Sequence, residues 1–143
     1  MTLQNINLIQ PVVALVLWSM IMWLWMYATR IPALKAARVK LDSNARAGEQ
    51  MSQLPPHVRW KADNYNHLME QPTLFYAITL SLAFMGNTSE VVINTAWIYV
   101  VLRVIHSLIQ ALGNKIMWRF TAFSLSNIAL IVLGVNAAMQ AFG

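Results

Sequence analysis

Residues 8–29 read LIQPVVALVLWSMIMWLWMYAT, and Arg30, which follows, is the first charged residue of the chain. A helix that crosses the hydrocarbon core of a bilayer needs about 20 mainly apolar residues, so this stretch reads as a span. It is too long for a cleavable signal peptide and lacks the basic start of one. Pro11 falls in its first turn, where a missing N–H costs little. The same reading extends outward along the chain. Gln71 to Ser89 carries no charge, and neither does anything after Arg119. Three further segments qualify as spans, at about 67–85, 91–112 (which encloses Arg103) and 120–142. The expected fold is an all-α integral membrane protein: a four-transmembrane-helix bundle, one membrane domain over 1–143, with a sizeable loop at 30–66.

Composition agrees with this. Of 143 residues, 58% are hydrophobic and 10% charged, against about 25% charged in a soluble domain. A water-soluble exterior needs charge all over it. A soluble domain, a disordered chain and a simple nucleic-acid-binding domain are therefore excluded, despite a net charge of +5. The excess instead reports orientation. Arg30, Lys35, Arg38, Lys40, Arg46, Arg59 and Lys61 lie in or beside the first loop, Lys115 and Arg119 lie at the third, and Arg103 is in the half of helix three that leads there. The N-terminus, the C-terminus and the Gly86–Glu90 turn have no Lys or Arg. The positive-inside rule then puts loops one and three in the cytoplasm and both termini outside.

Without cysteine the chain has no disulfide and no thiol of its own. It has no zinc-type or phosphate-loop motif either, so no metal is expected. Loop one opens with a basic, Ala-rich stretch, Pro32 to Arg46, that can continue as a helix until Gly48 and the Pro55-Pro56 pair break it. Its Lys and Arg suit either contact with anionic lipid headgroups or a ligand. The tryptophans read as lipid-facing or interfacial bulk: Trp18, Trp23 and Trp25 on helix one, with Trp60, Trp97 and Trp118 near span boundaries.

Polar groups inside a span are expensive and mark function by default. On helix two, Asn66, Glu70 and Thr73 fall at i, i+4 and i+7, which is one face, with Asp63 and His67 beside them. On helix three, Arg103, His106 and Gln110 also share a face, with Ser107 on the same side. Both sets lie in the half of the bundle nearest loop one, so a Glu70–Arg103 pair that neutralises both charges is expected. His106 reads equally as a satisfied structural histidine or as a ligand group. Pro72 should bend helix two just beyond Glu70 and free a carbonyl near Leu68. Arg119, Lys115 and the loop-one bases supply positive charge at one mouth of the bundle. Asn66, Gln110, Ser124 and Asn127 add neutral hydrogen-bonding groups. This set suits a small, multiply charged molecule from the cytoplasm, beside a lipophilic second substrate that arrives from the bilayer.

The segment Asn64-Tyr-Asn-His-Leu-Met-Glu70-Gln-Pro72-Thr-Leu-Phe75 resembles the helix-two signature of the membrane-associated proteins in eicosanoid and glutathione metabolism, the MAPEG family. Arg103-Val-Ile-His106-Ser-Leu-Ile-Gln110, with Arg119 sixteen residues after Arg103, resembles that family's helix three and the start of helix four. The likeness there is to its prostaglandin E synthase branch, and over the whole chain to its bacterial members. The resemblance implies a homotrimer in a bacterial inner membrane, with glutathione held between subunits near the cytoplasmic face. By position it implies glutathione contacts from Asn66, Glu70, Arg103 and His106, a catalytic Arg119 that stabilises the thiolate, pocket-lining Ser124 and Asn127, and Arg30 as a further basic contact. The chain departs from the family pattern at Gln110, where a tyrosine often stands, and in the spacing of Asn66 from Glu70, four residues where three is usual.

Two functions from different classes follow. One is a glutathione-dependent transferase or peroxidase acting on lipophilic electrophiles. The other is a membrane ligand-binding or assembly protein that keeps the fold without the thiol chemistry, a reading that Gln110 favours. A haem held by His67 and His106 and a transporter subunit are the remaining readings.

Overall fold

The computed structural model describes residues 3–46 and 48–143, with side chains from Ile6 onward. The described residues are helical almost throughout: α1 (Leu3–Ala36), α2 (Pro56–Glu70), α3 (Pro72–Phe84), α4 (Glu90–Leu112) and α5 (Ile116–Phe142), with a short 3-10 turn at Met51–Gln53. Helices α1, α4 and α5 are each long and apolar enough to cross a membrane. The remaining span expected at 67–85 straddles the junction of α2 and α3. Gln71 keeps helical angles there (φ −66°, ψ −37°), so the interruption is a gap in hydrogen bonding rather than a turn. Pro72 has no N–H to give, and the ladder resumes with Leu74 N–H donating to the Gln71 carbonyl at 2.9 Å.

The core follows from seven-residue spacing. Leu8, Leu15 and Met22 of α1 are fully buried, and so are Leu68, Phe75 and Leu82, which continue one stripe across the α2–α3 junction. Val92, Ala96 and Tyr99 of α4 and Leu133 of α5 close the interior, with the Phe75 and Tyr99 rings stacked 4.4 Å apart. Helix α1 packs on α2, α3 and α4; α4 packs on α2 and α5; α3 packs on α5. The outward face carries Val13, Leu17, Leu24, Ile98, Val101, Ile128 and Ile131, all exposed, as a lipid-facing surface requires.

Three expectations need correction. Helix α1 does not stop near Thr29, and it does not continue to Arg46. It runs on through Pro32 to Ala36, where Arg38 takes left-handed angles (φ 53°) and its N–H and that of Val39 return to the carbonyls of Lys35 and Leu34. That is a Schellman closure, and it satisfies carbonyls that the helix end would otherwise orphan. At 34 residues and about 1.5 Å per residue the helix is some 50 Å long, so its basic end projects beyond the hydrocarbon. Trp18 and Trp25 are half-buried and pack inward against the core, while Trp23 stays exposed. The third correction, the Glu70–Arg103 pair, belongs to the site.

Lys61 ties the basic end together. Its ammonium donates to the His57 carbonyl at 2.9 Å and to the Ala111 carbonyl at the end of α4 at 3.5 Å, and lies 5.0 Å over the Trp25 ring of α1. Burial lowers its pKa below the ordinary lysine value.

Candidate functional site

Across their junction, helices α2 and α3 present two stripes, and the difference between them organises the site. Asn64, Leu68, Gln71 and Phe75 turn inward: Asn64, Leu68 and Phe75 are fully buried, and Gln71 bonds into the bundle. Asn66, Glu70 and Thr73 are exposed. One residue turns a helix by about 100°, so Glu70 lies a third of a turn off the inward stripe. Its carboxylate therefore does not meet Arg103, and the expected pair is not formed. Fully buried Arg103 instead donates from Nη2 to the His67 carbonyl at 3.2 Å. That carbonyl lies in the last turn of α2, where the dipole favours a cation. The guanidinium also lies 5.8 Å from the Phe123 ring, and its Nε and Nη1 have no hydrogen-bond partner.

Around Arg103 the inward face of α4 is polar. His106, Ser107 and Gln110 are buried. Ser107 donates to the Asn64 side chain at 2.7 Å, whereas His106 Nδ1 and Gln110 Oε1 are buried without partners. The His67 and His106 rings touch edge to face, with centroids 5.5 Å apart. Among the described residues no group of three or more His, Asp or Glu gathers to hold a metal.

On the outer side of this layer, Asp63, Asn66, His67 and Glu70 of α2, Gln110 of α4 and Arg119 of α5 line one open cavity of about 310 Å³. That volume lies at the lower end of the range for small-molecule sites, roughly 300–1,000 Å³. Arg119 is held by Asn114, whose Oδ1 accepts from Nη1 at 2.7 Å. Asn114 itself sits in left-handed angles (φ 48°) in the α4–α5 connection. The first turn of α5 has no acidic residue, so Arg119 adds its charge to the positive end of a helix. Such a place favours an anion.

Of the residues singled out in the sequence, Asn66, Glu70, Gln110 and Arg119 meet in this cavity, and Arg103 and His106 are buried among the helices. Arg30 lies in an adjoining cavity of about 290 Å³, with Arg59, Asp63, Asn66 and loop-one residues that include Gly48 and Ser52. Ser124 is half-buried on α5, outside both cavities. Asn127 is drawn into the bundle: the Gln71 amide donates to its Oδ1, and the Tyr99 hydroxyl reaches Gln71 Oε1 at 3.4 Å. Gln71 and Asn114 are the two residues that sequence reasoning missed. The signal for Gln71 was available, since it falls at the seven-residue continuation of Asn64. Nothing local marked Asn114 as the anchor of Arg119.

No curated protein and no solved structure matches the sequence. The family model described as MAPEG family matches residues 8–139, nearly the whole chain. With three apolar helices of spanning length, the protein is an integral membrane protein, and the chain belongs to the MAPEG family, which includes glutathione-dependent transferases and peroxidases.

Proposed function

We propose that this protein is a membrane glutathione-dependent transferase or peroxidase acting on lipophilic electrophiles, and that it works as a homotrimer with glutathione bound near the cytoplasmic face. The observation that carries the reading is the cavity where Asn66, Glu70, Gln110 and Arg119 meet at the positive end of α5. Bound there, glutathione supplies a thiolate nucleophile. Arg119, fixed by Asn114, places its guanidinium where that negative charge is held, which favours the ionised thiol at neutral pH. Asn66 and Gln110 offer hydrogen bonds that orient the peptide. Arg103, behind them, has two donors without a protein partner.

Support for the trimer comes from Glu70 and Thr73. They are exposed in the single chain yet fall within the second span, and a carboxylate facing lipid is costly. A neighbouring subunit gives them cover. The second reading, a binder without turnover, is favoured by one feature. Gln110 is buried with an unpartnered Oε1 and brings no acidic hydroxyl to the cavity.

Detergent-purified protein with millimolar glutathione is expected to unfold at a higher temperature, because a ligand at about 100 times its Kd stabilises by roughly 2.7 kcal/mol. Arg119→Ala should lower turnover of a chlorinated aromatic by about 100-fold or more. No thermal shift in the unsubstituted protein removes the glutathione reading. A shift without turnover leaves the binder.

A further inference from the structure

A separate cavity of about 290 Å³ lies at the α4–α5 connection, lined by Leu108, Ile109 and Leu112 of α4 with Gly113, Lys115 and Trp118. It shares no lining residue with either polar cavity. Among the described residues that line it, Lys115 alone is charged. No Asp or Glu follows Glu90 in the chain, so neither α5 nor α4 beyond its first residue sets an anion beside that ammonium.

The cavity ends a longer feature. Ile98, Val101, Ile105, Leu108 and Leu112 are all exposed, and their spacing of three and four residues keeps them on one face of α4. Fourteen residues rise about 21 Å, whereas one leaflet contributes about half of a hydrocarbon core of ~30 Å. The apolar stripe therefore runs the depth of one leaflet and reaches the cation at the basic end of the bundle. Trp118, 68% exposed, stands there with the amphipathic ring that suits headgroup level. An apolar track that ends in a cation and an indole has the chemistry of a phospholipid, an acyl chain below and a phosphate above. Basic pockets between membrane helices take anionic headgroups in this way. A free phosphate gains nothing from the track, and a neutral lipid leaves the ammonium without a counter-charge.

We propose that this cavity is a binding site for an anionic phospholipid of the leaflet at the basic end. One acyl chain lies along the α4 stripe, the phosphate meets Lys115, and Trp118 packs beside the glycerol. The site does not depend on thiol chemistry and stands apart from the glutathione reading.

The test mixes the full-length protein in mild detergent with equal amounts of phosphatidylglycerol and phosphatidylcholine that share their acyl chains. Native mass spectrometry counts the lipid retained. The unsubstituted protein should retain phosphatidylglycerol about fivefold over phosphatidylcholine, the weight of one basic group at an anionic surface. Lys115→Gln, at an exposed position, should bring that ratio to about one. Leu112→Trp, also at an exposed position, crowds the groove and keeps the charge, and it should cut the retention of both lipids severalfold. Lys35→Gln removes an exposed charge outside the cavity and should leave the ratio unchanged. Glycerol phosphate, a headgroup without chains, should displace nothing. Equal retention of the two lipids by the unsubstituted protein overturns the proposal. So does an equal fall in Lys35→Gln and Lys115→Gln, which would make the preference one of general surface charge. Full retention in Leu112→Trp, or displacement by glycerol phosphate, overturns it as well.

Discussion

Arg103 shows how far a single residue could be read before its surroundings were known. The sequence marks it as costly, a guanidinium within a span with Glu70 as the available counter-charge. What the sequence does not carry is the rotation of α2, which turns Glu70 away, or the helix end that leaves the His67 carbonyl free to accept. In the structure Arg103 is fully buried with one hydrogen bond and one aromatic contact. Effective desolvation of such an ion costs several kcal/mol. A hydrogen bond to a charged group returns about 1.5–3 kcal/mol, and a buried cation–π contact about 2 kcal/mol or more. The sum is near balance, so the charge contributes little to stability and its retention points to binding. Arg103→Met keeps most of the volume. It is expected to unfold within about 1 kcal/mol of the parent without ligand and to lose the thermal shift on adding glutathione. Thermal scans with and without glutathione check both halves. A fall of several kcal/mol in the ligand-free scan would make Arg103 a structural cap instead.

At the scale of elements, the existence of four apolar segments was legible because spanning helices must be long and uncharged. Their ends were less so. A Schellman closure on a non-glycine residue, at Arg38, has no signature in composition, and α1 therefore outran its expected end. The break at Pro72 was legible, but its consequence was not. At the break, Gln71 reaches across to Asn127 of α5 while Tyr99 of α4 reaches Gln71, so one amide joins three helices in the middle of the bundle. Hydrogen bonds of this kind between membrane helices are worth about 0.6 kcal/mol each and up to ~1.7 kcal/mol. Gln71→Leu should therefore cost roughly 1–2 kcal/mol, partly because it strands the Asn127 amide. In Gln71→Leu/Asn127→Leu the stranded amide is gone, and the loss should be smaller than the sum of the two single losses. Unfolding in a denaturing detergent series measures all three variants. Strict additivity would show that the two amides are not coupled.

The whole molecule is where the sequence spoke most clearly about membrane residence and least directly about sidedness. All ten Lys and Arg lie towards one end of the bundle: on and after the last turns of α1, through α2, in the last half of α4 and at the start of α5. The candidate cavity opens at that same end. Orientation therefore decides function. If the basic end faces the cytoplasm, the cavity meets the compartment that holds a reduced thiol pool; if it faces outward, the cavity is cut off from it. The charge distribution favours the first arrangement, with no Lys or Arg on the opposite end to oppose it. The chain contains no cysteine, so a single introduced thiol reports its own side without background. Ser52→Cys lies in loop one beside the Arg30 cavity, and Thr88→Cys lies in the turn between α3 and α4. Both turns are solvent-accessible enough to react, since Ser52 and Thr88 are not buried. In intact cells a membrane-impermeant maleimide should label Thr88→Cys and spare Ser52→Cys, and permeabilisation should expose the second. The reverse pattern would place the cavity outside and would separate the fold from glutathione chemistry, because the nucleophile would then have to come from a compartment without it.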